Sequence, residues 1–456
     1  MADNETVDDE DGLDARRVSL ILDAVEGQDA GKLAALLRLL HAADIADLLE
    51  QISPAERRAL LALGAPLIDG EVLSELDESI REEVIGALPR AAVAEAMREL
   101  DTDDVVDILE DLDEPQQDMI LEALDEVDRV AVEQALAFPD NSAGRLMQRE
   151  VVVVPEHWTV GEAIDFLRES ASLPSQFYHV ILVDPRMRPT GYATLGRILS
   201  AGREVQLKDM LEDSFRTIEA TMPEADVAYL FNQYHLISCP VVGEGGRLVG
   251  VITIDDAMSV LDEEHEEDLL RLAGVGDGSS LSDGALTTVK QRLPWLVVNL
   301  FTASISAFVI SQFEATIALI VSLAAVMPIV SSTGGIAGTQ SLAVSVRALA
   351  TRDLTSANAA RVVRREVMAG AMNGIALAII LGIGGSLLYG NIWLGVVLGL
   401  AMIANQIVAA LGGVLVPLTL ERWGLDPALA SGTFVTTLTD VMGYLAFLGL
   451  ATWLMI

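Results

Sequence analysis

The sequence has very little of what disulfide scaffolds and soft-metal sites require. A single cysteine, Cys239, excludes an intramolecular disulfide and fits a reducing compartment. All five histidines precede residue 291, where the long apolar segments begin, so we expect no soft-metal site in those segments. No nucleophile and base are arranged as in covalent catalysis, and we therefore predict that the protein is not an enzyme.

Positive charge is also scarce, and lysine occurs only at Lys32, Lys208 and Lys290. The chain has 29 basic and 68 acidic residues, which gives a formal net charge of −39. Eight basic and six acidic residues lie from Val289 onward, so residues 1–288 carry a net charge of −41. Such a surface repels nucleic-acid phosphates, which argues against nucleic acid as a partner. It suits cation binding, or solubility in a high-salt habitat.

The first 138 residues lack strand signals. Their acidic and polar start predicts a disordered tail over residues 1–13 and no signal peptide. Residues 14–138 are rich in Ala, Leu, Glu and Asp at helical spacing. The segments 44–57, 92–105 and 104–117 share a pattern of helix, capping residue and helix. Stacked helix pairs of this kind predict an α-helical, superhelical N-terminal domain.

Residues 139–262 have a different pattern, which occurs twice. Residues 151–167 match residues 215–231 in their order of strand, turn and helix. Residues 178–199 match residues 238–261 in their order of strand, hairpin turn, strand and helix. This layout resembles a tandem pair of CBS domains, an α/β module that commonly senses nucleotides or ions.

The second copy alone carries the residues that often hold a ribose in such domains. Thr253 and Asp256 lie in its GVITIDD segment, whereas the first copy has Thr194 followed by Arg197 where the aspartate would stand. The resemblance therefore implies at most one complete nucleotide site, for a ligand such as ATP. A pair that binds no nucleotide is equally consistent with the sequence.

Residues 263–290 are predicted to form an acidic connecting helix and a linker. The segment DEEHEEDLL (262–270) is followed by the glycine-rich GVGDGSSLSDG (274–284). Charge runs of this kind are usually solvated helix faces. This one directly precedes the apolar segments, where an acidic helix gains nothing from anionic lipid. A metal-responsive element is therefore the alternative interpretation.

Residues 291–456 are predicted to form an all-α membrane domain, because a span needs about twenty apolar residues. Five segments qualify, at 293–313, 316–346, 367–389, 393–420 and 430–455. The second is predicted to be interrupted at Pro328 and Gly334–Gly335, where freed backbone groups can line a cavity. Basic residues precede span one and lie between spans two and three and spans four and five. The N-terminal domains are therefore expected in the cytoplasm and Ile456 outside.

Asp440 is the only acidic or basic residue between Asp426 and the C-terminus. A charged residue near the centre of a bilayer costs about 2.5 kcal/mol or more and usually faces a partner, a cavity or an ion path. Gly432, Thr436 and Thr439 are small or hydroxylated residues that can line polar space around it. The acidic charge predicts a cation path and disfavours an anion or osmolyte transporter, because anion paths favour arginine, lysine or helix N-termini.

Taken together, these features resemble the MgtE magnesium channels over nearly the whole chain. Two membrane motifs carry the resemblance, MPIVSSTGGIAGTQSLAV (327–344) and GLDPALASGTFVTTLTDVMG (424–443). The chain departs from frequent family forms at Ile336, where asparagine is common, and at Thr433, where proline is common. The aspartate of the second motif is retained as Asp440.

The resemblance implies a homodimeric, Mg²⁺-selective channel or transporter of the cytoplasmic membrane, in contact with lipid. It places the pore on the twofold axis, where two Asp440 side chains would meet. Mg²⁺ prefers oxygen ligands and gives up its waters reluctantly, which agrees with a carboxylate among hydroxyl groups. Broader transport of Co²⁺ or Mn²⁺ stays open, as does the choice between a channel and a coupled carrier.

The resemblance also implies that cytoplasmic Mg²⁺ acts as a regulator, closing the pore by bridging carboxylates. The implied ligands are Asp256, Glu264, Glu267 and Asp268, with Asp426 at the membrane face and Asp104 or Asp107 in the N-terminal domain. Ser259 stands where a further acidic residue is expected, which predicts a weaker affinity for the ion.

Overall fold

The structure is a computed structural model that describes residues 13–170, 173–174, 176–211, 215–275, 279, 284–428 and 431–456. The chain divides into two units, Met1–Glu263 and Glu264–Ile456. The tail predicted for residues 1–13 lies outside the described residues, except for Leu13. Part of the predicted glycine-rich linker also lies outside them.

Ten α-helices lie in the described part of residues 1–138 and confirm the predicted helical N-terminal domain. They are α1 (Ala15–Glu26), α2 (Ala30–Leu37), α3 (Ala42–Gln51), α4 (Pro54–Gly64), α5 (Gly70–Ser74), α6 (Glu78–Ala87), α7 (Arg90–Met97), α8 (Thr102–Glu110), α9 (Glu114–Ala123) and α10 (Glu126–Leu136). One continuous apolar core runs through them, from Ile21 to Ala135.

The superhelix has a regular repeat of two helices. The residues that precede the even-numbered helices are Asp29, Ser53, Asp77, Asp101 and Asp125, at intervals of 24 residues. Side-chain oxygens at the first three accept hydrogen bonds from backbone N–H groups of the following turn, which stabilises each helix start. The similar segments 44–57 and 92–105 are two repeats apart, whereas 104–117 is offset by half a repeat.

The second region contains the two predicted CBS copies. Its elements are α11 (Ala143–Leu146), β1 (Val153–Pro155), α12 (Val160–Glu169), β2 (His179–Val183), β3 (Pro189–Thr194), α13 (Leu195–Ser200), β4 (Ile218–Glu219), α14 (Glu224–Tyr234), β5 (Ser238–Val242), β6 (Leu248–Thr253) and α15 (Ile254–Leu272). Each copy has a three-stranded sheet with one parallel and one antiparallel pair. The register shifts at equivalent points, Leu182/Val183 and Val241/Val242, so the repeat extends to its irregularities.

The acidic connecting helix does not begin where the sequence predicted. The run at 262–270 is the second half of α15, which starts at Ile254 directly after strand β6. No proline or glycine separates the two halves, so the helix propagates from the second CBS copy through the acidic residues.

Six helices follow α15 in the described part of the second unit. They are α16 (Ala285–Ser311), α17 (Glu314–Leu319), α18 (Ser322–Ala350), α19 (Ala359–Tyr389), α20 (Ile392–Arg422) and α21 (Ser431–Met455). Within the described residues, α16, α18, α19, α20 and residues 432–455 of α21 are long and apolar enough to cross a membrane. The five predicted spans are thus confirmed by length and composition.

The predicted interruption of the second span is wrong in its position. Helix α18 runs through Pro328 and through Gly334–Gly335 without a break, and the chain instead leaves the helical path between α17 and α18. Proline lacks one N–H donor, and neighbouring helices can compensate for that in a membrane protein. Helix α18 packs against α20 and α21 along its length, so it stays continuous.

Candidate ion-binding sites

Asp440 lies in the middle of the last apolar helix, α21, and is partly buried. Its Oδ1 atom accepts a hydrogen bond from the hydroxyl of Ser331, which is on α18 and 8% exposed. The bond fixes the carboxylate in space by tying it to a second helix. Sequence reasoning missed Ser331, although it lies inside the first motif and is a hydroxyl group within an apolar helix.

The three small or hydroxylated neighbours of Asp440 have different environments. Gly432 and Thr436 are partly exposed, and the Thr436 hydroxyl donates to the Gly432 carbonyl at 2.8 Å. A hydroxyl that donates to its own helix keeps lone pairs that can accept hydrogen bonds from an ion's water shell. Thr439 is fully buried, and its hydroxyl donates to Thr436 O at 2.8 Å. The structure therefore favours a packing role for Thr439 over the predicted contact with an ion.

The two departures from the family motifs lie on helix surfaces. Ile336 is on α18 and 57% exposed. Thr433 is partly exposed in the first turn of α21, and its carbonyl accepts a hydrogen bond from the Thr437 hydroxyl at 2.7 Å. Neither residue adds a charged group to the Asp440 site.

In the second unit, the guanidinium group of Arg271 joins two of the predicted regulatory carboxylates. Arg271 bonds Glu267 at 2.7 Å and Asp426 at 2.7 Å. The pKa of Asp268 is raised, chiefly by burial and then by the nearby charges of Asp426 and Glu264. Four of the predicted carboxylates therefore lie near one another, around an arginine that sequence reasoning had not considered. They are Glu264, Glu267, Asp268 and Asp426.

The first unit contains an acidic cavity of about 500 Å³. Among the described residues its lining includes eleven carboxylates and two arginines. The predicted residues Asp104, Asp107 and Asp256 all contribute to it, and Ser259 also lies on its wall. The lining carboxylates are Glu50, Glu75, Asp77, Asp103, Asp104, Asp107, Glu110, Glu224, Asp255, Asp256 and Glu263.

Burial and mutual repulsion raise the pKa values of several carboxyl groups in the acidic cavity. Burial, followed by the charge of Asp256, raises the pKa of Asp104 to about 7 and that of Asp103 well above its usual range. Burial and the charge of Asp107 raise the pKa of Glu263 to about 7. These groups lack enough positive charge nearby, so they favour either a proton or a cation. Sequence reasoning missed Asp103 and Glu263.

Asp256 takes part in both a helix cap and the acidic cavity. Its Oδ2 atom accepts hydrogen bonds from the hydroxyl of Thr253 at 2.6 Å and from the Thr253 N–H at 3.3 Å. Burial nevertheless raises the pKa of Asp256 to about 6. In the first copy the Thr194 hydroxyl accepts from the Arg197 N–H at 3.4 Å, with no carboxylate in the equivalent place. The predicted asymmetry between the two copies is therefore present.

Arg81 supplies a fixed positive charge to the wall of the acidic cavity. Its side chain is 6% exposed and bonds Asp111 at 2.5 Å and Asp107 at 2.9 Å. It also donates to the Leu76 carbonyl at 2.8 Å. Arg57 occupies the same position one repeat earlier and bonds Glu83 at 2.7 Å, so a buried arginine recurs at this point of the superhelix.

Replacing this arginine should weaken the N-terminal domain. We expect Arg81→Met to cost about 3 kcal/mol, because the partly buried carboxylate of Asp111, whose side chain is 17% exposed, loses its cation. Hydrogen–deuterium exchange of the full chain in EDTA would show faster exchange in α6 and α8. Mg²⁺ should slow that exchange again by replacing the guanidinium. Arg57→Met is the matched control, since its partner Glu83 is 37% exposed, and an equal Mg²⁺ effect in both variants would contradict the prediction.

The geometry of the Asp440 site and of the acidic cavity suits a hydrated cation better than a bare one. Across the described parts of the chain, no three Asp, Glu, His or Cys side chains are grouped closely enough to hold a metal ion. Mg²⁺ usually keeps several of its waters and is bound through one or two carboxylates. An isolated, fixed carboxylate such as Asp440 is compatible with that mode of binding.

Comparison with family models agrees with this architecture. A model described as the MgtE intracellular N domain matches residues 40–141, and CBS domain models match residues 143–204 and 207–263. A model described as a divalent cation transporter matches residues 327–450. The matches follow the same order along the chain as the helical domain, the CBS pair and the apolar helices.

Two individual relatives lead to the same assignment. The magnesium transporter MgtE of Enterococcus faecalis is 33% identical over 328 residues, which cover 71% of each chain. The magnesium transporter MgtE of Thermus thermophilus is 33% identical over 329 residues, which cover 72% of this chain and 73% of that protein. The solved cytosolic domain of the Mg²⁺ channel MgtE in complex with ATP covers 53% of this chain at 28% identity, with a TM-score of 0.49. The chain belongs to the MgtE family of divalent cation transporters.

Proposed function

We propose that this member of the family is a Mg²⁺-selective channel of the cytoplasmic membrane, closed by cytoplasmic Mg²⁺. The observation that carries the proposal is the carboxylate of Asp440, fixed by Ser331 within an apolar helix. A fixed anionic group at that depth provides a binding point for a cation and none for an anion. The names of the relatives support magnesium as the transported ion.

A homodimer with Asp440 on its twofold axis fits this chemistry. Two carboxylates brought together repel each other, and one of them tends to protonate unless a cation lies between them. A hydrated divalent ion resolves that conflict and can also be held by the hydroxyl oxygen of Thr436 and by backbone carbonyls. The large exposed apolar surface of α16 and α19 fits contact with membrane lipid.

Regulation by cytoplasmic Mg²⁺ is supported by the acidic cavity and by the carboxylates around Arg271. Repulsion within a unit of such high negative charge favours an expanded state. Mg²⁺ bound to Asp104, Asp107 or Asp256 would stabilise the compact state, by no more than its difference in affinity for the two states. Glu264, Glu267, Asp268 and Asp426 are the proposed ligands in the second unit. When internal Mg²⁺ falls, release of these ions would favour the open pore.

A nucleotide such as ATP is a proposed ligand of the CBS pair. Thr253 borders a cleft that is also lined by Tyr178 and His179, and an aromatic face of this kind can stack on a base. Asp256 supplies the carboxylate of the predicted Thr–Asp pair, and the Thr253 hydroxyl already donates a hydrogen bond to it at 2.6 Å. A ribose at this place would therefore have to share or displace that bond.

The topology follows from the family and from the basic residues. The chain is a multi-pass membrane protein with its N-terminal domains in the cytoplasm. Lys290 and Arg292 begin the first span, and five arginines lie between residues 347 and 365. Ile456 is proposed to lie outside, as the positive-inside rule predicts for five spans.

Two other transport functions are the alternatives. Oxygen ligands alone also accept Mn²⁺ and Co²⁺, so a broader divalent cation transporter is the nearer alternative. An anion or osmolyte transporter would need basic groups in its path, and α21 has none.

Flux in proteoliposomes tests the proposal. We expect the full-length protein to carry Mg²⁺ into vesicles in response to the Mg²⁺ gradient and membrane potential alone. Addition of a proton or sodium gradient should not change the rate, and Mg²⁺ on the cytoplasmic side should reduce it. Flux that requires the proton or sodium gradient would identify a coupled carrier, and equal rates for Ca²⁺, Mn²⁺ and Co²⁺ would contradict the selectivity.

A further inference from the structure

A buried amide lies in the middle of the fourth span. Asn405 is on α20 and 0% exposed, and the only other polar side chain among the buried residues of this helix is that of its neighbour Gln406. Its Nδ2 atom donates to the carbonyl oxygen of Val330 on α18 at 2.9 Å. Its Oδ1 atom is buried and has no hydrogen-bond donor within the described chain. Amide side chains inside membrane spans commonly hydrogen-bond to a neighbouring helix, and here one of the two polar atoms of the amide has such a partner.

The two neighbouring helices leave space for this amide. A Cβ atom added to Gly334 of α18 would lie 2.0 Å from Asn405 Nδ2, and one added to Gly443 of α21 would lie 2.8 Å from it. Neither distance is sterically allowed, so an alanine at either position would displace the amide from the place that it occupies. Asn405 therefore occupies the point where α18, α20 and α21 meet.

This point is directly beside the Asp440 site. The carbonyl that Asn405 holds belongs to Val330, and the next residue, Ser331, donates to the Asp440 carboxylate. Gly443, which borders the amide on the other helix, follows Asp440 by three residues, or less than one helical turn. One side chain thus contacts both helices that carry the Ser331–Asp440 pair, on the turns next to that pair.

We propose that Asn405 is a positioning residue that sets the ion selectivity of the Asp440 site. By holding the α18 backbone at Val330 it fixes where Ser331 presents its hydroxyl, and thereby which orientation the Asp440 carboxylate adopts. The proposal rests on the function proposed above for Asp440. A site that recognises an ion by the size of its hydration shell depends on such placement, because small displacements of a liganding group change its fit.

Packing alone does not account for the amide. A leucine has a similar volume and would fill the same space without polar atoms. The unpaired Oδ1 atom lowers stability, since a buried acceptor without a partner is destabilising. If Asn405 only filled space, a leucine in its place would raise the stability of the protein. The role of the hydrogen bond to Val330 must therefore be tested by a property other than stability.

Selectivity measurements on assembled protein make that separation. We expect Asn405→Leu to fold and to lower the ratio of Mg²⁺ to Ca²⁺ flux about tenfold, which corresponds to about 1.4 kcal/mol between the two ions. Ser331→Ala should lower the same ratio, and the double variant should be no worse than Ser331→Ala, because both changes act on one pair. The matched control is Thr452→Val, which removes a 2.8 Å hydrogen bond between α21 and Thr316 of α17 and should leave the ratio unchanged.

Several outcomes would overturn the inference. A wild-type ratio in Asn405→Leu, or an equal change in Thr452→Val, would reduce the amide to a structural role. If Asn405→Leu does not assemble, Gly443→Ala displaces the amide without removing it, and a wild-type ratio in that variant would have the same meaning. Absence of Mg²⁺ flux in the wild-type protein would instead contradict the proposed function itself.

Discussion

Vesicles that contain the Asp440→Asn protein are expected to take up Mg²⁺ no faster than protein-free vesicles. The substitution keeps the size of the side chain, and its Oδ1 atom can still accept the hydrogen bond from Ser331. What it removes is the negative charge that attracts the cation in a medium of low dielectric constant. Assembly and thermal stability should therefore stay close to those of the wild type, while conduction is lost.

A second variant on the same helix controls for unspecific effects. Thr437→Val removes a hydroxyl that donates to Thr433 O at 2.7 Å within α21, and it leaves the charge in place. We expect this protein to conduct Mg²⁺ at the wild-type rate. Conduction by Asp440→Asn at a rate similar to that of Thr437→Val would show that the Asp440 charge is not part of the ion path.

Asp440 could be found from the sequence because an isolated charge in an apolar segment is rare. Ser331 and Asn405 could not, since polar residues in membrane helices often bond only their own helix. Thr333, two residues after Ser331, donates to Ile329 O at 2.6 Å in that way. Which hydroxyl reaches a neighbouring helix depends on how helices are rotated against each other, and the periodicity of one sequence does not specify that rotation.

The acidic cavity could be predicted only in part, because tertiary packing decides which side chains line it. Charge density and family resemblance identified Asp104, Asp107 and Asp256, and these three do share one cavity. Asp103 lies beside Asp104 in the sequence, yet its near-complete burial arises from tertiary packing. The pairing of Arg81 also arises from tertiary packing, since its partner Asp107 is 26 residues away in the sequence. Fold class followed from composition and periodicity, whereas helix limits such as the start of α15 depended on the absence of a local breaker.

Combined neutralisation of two cavity carboxylates should abolish inhibition by cytoplasmic Mg²⁺. We expect Asp104→Asn/Asp256→Asn protein to conduct at a high cytoplasmic Mg²⁺ concentration at which the wild type is proposed to be closed. Burial and then the charge of Asp256 raise the pKa of Asp104, so both groups contribute to the repulsion that a bound cation would relieve. Asparagine at 256 can still accept the hydrogen bond from Thr253, so the start of α15 should be preserved.

The same carboxylates predict how inhibition depends on pH. The pKa values of Asp104 and Glu263, about 7, and of Asp256, about 6, exceed the unfolded-state values of about 4. The folded unit then binds more protons than the unfolded chain between about pH 4 and pH 7, so its stability without Mg²⁺ falls as pH rises through that window. In the proposed mechanism Mg²⁺ would replace those protons. Inhibition should therefore require less Mg²⁺ at pH 8 than at pH 6, and calorimetry in two buffers should detect proton release.

The decisive comparison separates specific binding from general screening by salt. Asp118→Asn/Asp128→Asn removes the same charge from exposed positions of the helical domain and should retain full inhibition by Mg²⁺. Sodium chloride at matched ionic strength shortens the Debye length equally but cannot bridge two carboxylates, so it should not close the wild-type pore. If sodium chloride closes the pore as Mg²⁺ does, or if the two double variants respond alike, the acidity serves solubility in salt and the cavity has no part in gating.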